Sequence, residues 1–287
     1  MAKKAKRLTK TIIAIIIVAA VLTSVLIVAG GLQIAFMEAD KIECWHPDYE
    51  KLSESEMRAI LNKEALDDND YETLYKQTGL TKIGVDRALA QGDAGKLRIL
   101  SIQDDYFKEH TVVNDFFAPY MCQDKLEHEY IENIYLENGD IVVSSSTHFS
   151  GWRVGHAGLV TDGENEKILQ ASVVGETSAI GSMVDFNTRV NFMVLSPKVE
   201  TDLKEQVVAY ADENLKGLIY DFTVGVFSSK NTLKKTQCSH LVWSAYKHFG
   251  IDLDSNGGLL VMPKDLANSP LVDVVQVFGF DPVKLWK

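Results

Sequence analysis

Between Thr11 and Phe36 the chain carries no charged residue, and its clearly polar members there are Thr11, Thr23, Ser24 and Gln33. A run of 26 residues exceeds the roughly 20 that cross a bilayer as a helix, and a lipid-exposed backbone must satisfy its own hydrogen bonds. It also exceeds the apolar segment of about 7–15 residues in a cleaved signal. Val28-Ala-Gly30 is a weak small-x-small site, and no Leu-rich lipobox ending in Cys is present. The expectation is an uncleaved transmembrane anchor over 11–36. Lys3, Lys4, Lys6, Arg7 and Lys10 precede it without an acidic residue. A basic flank stays in the cytosol, so residues 1–10 read as a cytoplasmic tail and the chain from about 37 onward as extracytoplasmic, at the cell membrane.

The net charge is −11, and the first ten residues hold five positive charges, so the remainder carries −16. No basic run or aromatic-basic stretch occurs there, which argues against nucleic acid and against anionic lipid as main partners. About 250 residues suffice for one full core and a smaller accessory unit. Three cysteines are too few for a disulfide scaffold. Cys44 and Cys122 are the candidates for a pair in an oxidising exterior, which would leave Cys238 as a thiol.

Residues 37–135 read as a helical, acidic region. Ser53-Glu-Ser-Glu-Met-Arg-Ala-Ile-Leu61 opens with a cap and early acids. Short helical pieces continue at 72–77, 82–91 and 97–107, separated by Gly79 and Gly92. From Asn138-Gly139 the pattern turns to strands at 140–144, 155–161, 167–173 and 190–195, with a turn at Asp162-Gly163. A helix over 200–215, another starting at Cys238 and a last strand over 271–278 follow. Strands and helices that do not alternate indicate an α+β domain over 136–287.

Cys238 begins an amphipathic helix. Leu241, Val242, Ala245, Tyr246 and Phe249 recur at helical spacing and Gly250 stops the run. A thiol at a helix N-terminus meets unpaired N–H groups and the positive dipole end, which favour thiolate. The same pattern also fits a small buried hydrophobe. A nucleophile needs a base. His240 lies 200° around the helix from Cys238 and His248 almost three turns away, so neither reaches the thiol. His46, His110 and His128 fall in the helical region, and His148 in a Ser-rich loop. His156 lies in a strand between Gly155 and Ala157-Gly158, small residues that let another element approach the ring. Gln170, on the next strand, is placed to orient that ring. Both also fit ordinary half-buried or solvent-facing strand positions. For zinc, Cys44-x-His46 and Cys238-x-His240 lack a second matching pair, so no metal is expected.

Gly139-Asp-Ile-Val142, Gly155-His-Ala-Gly-Leu-Val160, Leu169-Gln-Ala171, Cys238-Ser-His-Leu-Val-Trp-Ser-Ala-Tyr246 and Gly250-Ile-Asp-Leu253 stand in that order. Together they resemble the circularly permuted NlpC/P60 proteins, the YiiX/YaeF-like papain-fold amidases and peptidases. The resemblance covers about 136–287. It implies a permuted papain-like domain with an antiparallel sheet packed on the Cys-bearing helix. It further implies Cys238 as nucleophile, His156 as base, Gln170 as third polar group and no cofactor. Tyr220 and Trp152 would line the groove. Two positions depart from the pattern: Gln170 stands where an acid is frequent, and His240 where Glu is expected. The implied activity is a cysteine hydrolase acting on peptide amides, with peptidoglycan-like cell-wall peptides as substrate. A lipid acyltransferase or thioesterase of the same fold is the alternative. A non-catalytic binding module, its cleft covered by the helical region, is the third.

Overall fold

The computed structural model describes residues 2–39, 42–115, 121–149 and 152–286. Two compact units are present, one comprising the N-terminal helix with 149–152, the other 42–148 with 153–287. In the first, α1 (Ala2–Ala39) contains one segment, Lys10–Ala29, long and apolar enough to cross a membrane. Ile15, Leu22, Leu26 and Ile27 along it are exposed.

The second unit opens with four helices. α2 (Glu54–Leu61) and α3 (Asp68–Thr78) each start in a capping box, from Ser53 to Glu56 and from Asp67 to Asp70. These reciprocal bonds satisfy two of the N–H groups a helix start leaves open. α4 (Lys82–Leu89) and α5 (Asp93–Phe107) follow. Met57, Leu61, Leu74, Leu80, Val85, Ile99 and Ile102 form their shared core.

The expected helical character ends at Phe107. β1 (Val112–Asp115) and β2 (Cys122–Leu126) come next and pair antiparallel. Val112 and Val113 are stiff at the branched Cβ and favour extended backbone there. Beyond Gly139 the chain forms β3 (Ile141–Ser144), β4 (Thr147–Phe149), β5 (Trp152–Arg153), β6 (His156–Asp162), β7 (Lys167–Gln170) and β8 (Ala179–Ser182). Then come α6 (Val184–Asn187), β9 (Phe192–Pro197), α7 (Thr201–Asn214), β10 (Ile219–Tyr220), β11 (Lys235–Thr236), α8 (Cys238–His248), α9 (Pro263–Ala267) and β12 (Val272–Phe278). His148, read from sequence as a loop residue, lies instead on β4 opposite Cys122 and is buried. No disulfide joins Cys44 to Cys122; burial among Phe278, Val275 and Leu126 pushes the Cys44 thiol up to about 12.

The main sheet is six-stranded in the order β12-β9-β3-β6-β7-β8 and antiparallel throughout. Alternation along the strands gives it two apolar faces. Ile141, Val143, Ala157, Leu159, Met193 and Leu195 meet Val207 and Ala211 of α7 and Leu241, Val242 and Tyr246 of α8. Val142, Val160, Ile168, Phe192 and Val194 meet Phe186, Ile131 and Ile134 on the other side. The chain is thus mixed α+β with antiparallel sheets and an N-terminal apolar helix.

One polar knot ties helices to sheet. Asp140, fully buried just before β3, accepts from Arg87 of α4 at 2.5 and 3.2 Å, from Lys204 of α7 at 3.0 Å and from the Glu137 amide at 3.0 Å. Ser196 of β9 accepts from both cations, at 3.1 and 2.7 Å. A buried carboxylate is tolerated only when its charge and lone pairs are met in this way.

Candidate active site

Cys238 is the first residue of α8, so its amide has no acceptor within the helix. Gln237 caps that start: its Oε1 accepts from the Ser239 amide and hydroxyl at 3.0 Å each, and its Nε2 donates to the Val261 carbonyl at 2.6 Å. Leu241, Val242, Ala245 and Tyr246 pin the helix to the sheet. β10 and β11 run parallel with Tyr220 beside Thr236, which brings Tyr220 to the entrance of α8. Tyr220 is largely enclosed, and its hydroxyl is raised first by burial and then by the nearby Cys238.

His156 opens β6 directly after Gly155, whose φ of +70° and contact with Trp286 and the Ser144 carbonyl leave no room for a Cβ. The β6–β7 ladder pairs Leu159 with Leu169 and stops there on this side, because β7 ends at Gln170. The Ala157 amide lies close enough to Cys238 to oppose the effect of burial on its thiol. The thiol thus lies beside the start of β6, next to the residue that follows His156. By alternation the His156 and Gln170 side chains emerge on the Phe186 side of the sheet.

The hydrogen bonds around the imidazole have a definite direction. Asp185 accepts from Gln170 Nε2. A carboxylate only accepts, so the amide nitrogen of Gln170 must face it and the amide oxygen must face His156. Gln170 Oε1 then accepts from His156 Nε2–H at 2.7 Å. Nδ1 is left with its lone pair, the form a general base needs. Phe186 stacks on the imidazole at 5.1 Å and 20°. Gly158 makes that stack possible, since a Cβ there would lie 2.3 Å from Ile168 and 3.2 Å from Phe186. Behind Phe186, at 5.4 Å, lies the buried guanidinium of Arg189, which donates to the Asp185 carbonyl and, at 2.6 Å, to Thr147 Oγ1.

Electrostatics keep both partners neutral at rest. Burial pushes the Cys238 thiol up, partly countered by the Ala157 and Ser239 N–H groups, the Ser239 hydroxyl and Arg189. Burial, then the Arg189 charge, pulls His156 down to about 3 against the opposing bond from Gln170. The S–H donates to Gln237 Oε1 at 3.4 Å. The resting pair is thus thiol and neutral imidazole, and proton transfer awaits a bound carbonyl. Alkylation of Cys238 by iodoacetamide, followed by peptide mapping from pH 4 to 10, is expected to stay slow through neutrality and to climb toward pH 10. A fast plateau already present near pH 5 would mean a preformed thiolate–imidazolium pair.

His240, His110, His248 and His148 sit against other groups. His240 binds Thr236 Oγ1 through Nδ1 at 2.9 Å and the Lys230 carbonyl through Nε2 at 2.7 Å. His110 meets Glu129 at 2.5 Å, His248 stacks on Tyr210 at 3.8 Å, and His148 lies 3.6 Å from Asp124. Trp243 packs in the core, its Nε1 donating to Asp252 at 2.8 Å. Among the described residues no group of three or more His, Cys, Asp or Glu is arranged to hold a metal.

No family model and no curated protein matches this chain. It is similar to a solved structure, that of the metalloprotein yiiX of Escherichia coli O157:H7, at 15% identity and a TM-score of 0.40. The match covers 50% of this chain and 97% of that one.

Of the residues singled out from sequence, His156 and Gln170 are hydrogen-bonded to each other, and Tyr220 and the amide that follows His156 lie near Cys238. Trp152 lies on β5, and its side chain falls outside the described residues. Sequence reading missed Asp185, Phe186, Arg189 and Gln237. The first three sit on or beside α6, whose single turn gives no periodic signal. The Asp185–Arg189 spacing of four was the available hint.

Proposed function

We propose that this chain is a membrane-anchored cysteine hydrolase with a permuted papain-like catalytic domain over 136–287, facing outside. Cys238 is the nucleophile, His156 the base, and Gln170 the group that holds the base. The carrying observation is the Asp185–Gln170–His156 chain of hydrogen bonds, which leaves Nδ1 unprotonated, on a strand whose next residue, Ala157, lies beside the thiol. On substrate binding His156 Nδ1 takes the thiol proton and sulfur attacks the carbonyl carbon. The developing oxyanion is met by the open Cys238 N–H at the helix start. The thiolate charge raises the imidazole's affinity for the proton it has just received. Collapse expels the amine with that proton. Water, deprotonated by His156, then releases the acid and the free thiol.

Peptide amides of the cell wall are the substrate class. A second reading, acyl-lipid esters or thioesters, is favoured by one observation: Ile219, next to Tyr220, and Leu259, near the Val261 carbonyl that binds Gln237, are apolar and exposed. Full-length protein and its Cys238→Ala variant, given muropeptides and acyl lipids in parallel, separate the two. Product from muropeptides alone supports the first and from lipids alone the second. Failure on both removes the hydrolase reading for these classes.

Gln170→Leu keeps the volume but removes the acceptor for Nε2–H. It is expected to lower kcat about 10–100-fold with little change in KM, because ring orientation matters to the reaction and not to substrate binding. Unchanged kcat in steady-state assays would show that Gln170 does not set the tautomer.

A further inference from the structure

A turn braced against the first turn of α8 carries apolar side chains that the hydrolytic chemistry does not use. Phe227 is 83% exposed, Leu259 68% and Val226 46%. They form one surface, because Gly225 packs so closely on Leu259 that a Cβ would lie 1.8 Å from its carbonyl oxygen. That surface is braced from below. Val224 is buried and bridges to Ser228. Lys230 donates to the Gly258 carbonyl at 2.8 Å and pairs with Asp254, while its own carbonyl accepts from His240 on α8. The Phe227 tip thus projects from a turn fixed to the first turn of the Cys238 helix.

We infer that Val226, Phe227 and Leu259 form a docking surface for a lipid bilayer beside the thiol. The inference rests on the anchored reading of residues 11–36. Only residues 37–41 lie between that apolar run and Ile42, where the folded unit begins. At up to about 3.6 Å per residue, such a tether keeps the unit near any bilayer the run crosses. Tethering raises effective concentration to the millimolar range, so a few inserted side chains suffice where a free domain would need many.

The test uses the full chain in phosphatidylcholine vesicles, with Phe227→Trp compared with Val283→Trp, another highly exposed position. Brominated lipids are expected to quench the emission added by F227W at least about twofold more than that added by V283W, as for an interfacial aromatic. High salt should leave the difference in place. Equal quenching with the protein still floating with vesicles overturns the docking surface and leaves the anchor standing. Protein that does not float removes the anchor and the docking surface with it. A concentration-dependent cross-linked dimer through this face, without lipid quenching, assigns it to a second copy and also overturns the proposal. None of these readouts depends on hydrolysis, so loss of the enzyme reading is scored separately.

Discussion

His156→Ala is expected to reduce turnover about 10³-fold, within the range that a positioned general base contributes. In the proposed mechanism the ring accepts the thiol proton, and the imidazole nearest Cys238 in sequence is otherwise engaged. His240 is tied through both nitrogens to Thr236 and Lys230. The loss belongs in kcat, since the proposed role of the ring is proton transfer and not substrate binding. Steady-state kinetics beside circular dichroism test this: a folded variant with a kcat near wild type would remove His156 from the mechanism. Alkylation of Cys238 reports the same coupling without a substrate. Cys44, held up to about 12 by burial, serves as the inert comparison in the same digest.

Asp140→Ala is expected to have the largest effect on stability. Asp140 is fully buried and joins α4, α7 and the entry to β3 through Arg87, Lys204 and the Glu137 amide. Removing it leaves two cations facing each other around Ser196, with Glu137 as the remaining carboxylate within 2.6 Å of Arg87 and 3.9 Å of Lys204. Breaking a buried ion pair by deleting one partner costs about 3–5 kcal/mol. For a unit of this size each kcal/mol moves Tm by roughly 2–4 °C, so a fall of about 6–20 °C is expected in a thermal melt. Arg87→Met should cost less, because Lys204 stays to neutralise Asp140. A melt of D140A within about 2 °C of wild type would mean that the knot is dispensable, against the general cost of stranding buried charge.

The contrast between α8 and α6 shows what the sequence could convey. Eleven residues of α8 hold three turns of apolar spacing, so both its start at Cys238 and the exclusion of His240 and His248 were readable. Its burial was not: His240 was expected on a polar face and lies almost wholly enclosed, satisfied by a loop carbonyl rather than by water. Four residues of α6 cannot display a period, and Asp185 enters the site only through the amide of Gln170. The β8 strand, Ala179–Ser182, is an edge with a single β-branched residue, Ile180, and so lacks the alternation that marks a strand. Residues 37–135 were read as one helical, acidic region, and β1 and β2 interrupt it. Charge alone sets no backbone conformation, and Val112-Val113 with the cross-strand bonds of β2 and β4 decides for strand. The end of the β6–β7 ladder at Leu159 and Leu169 is a property of strand pairing and leaves no mark in any single segment.

The central claim is that Cys238 attacks a substrate carbonyl and carries its acyl group. Mass spectrometry of full-length protein quenched in acid during turnover of muropeptides or acyl lipids tests it directly. The expected result is an acyl adduct that maps to the peptide bearing Cys238, disappears in Cys238→Ala together with all product, and accumulates in slow mutants of deacylation. Product formed at the wild-type rate by Cys238→Ala, or an adduct confined to another residue, would contradict it.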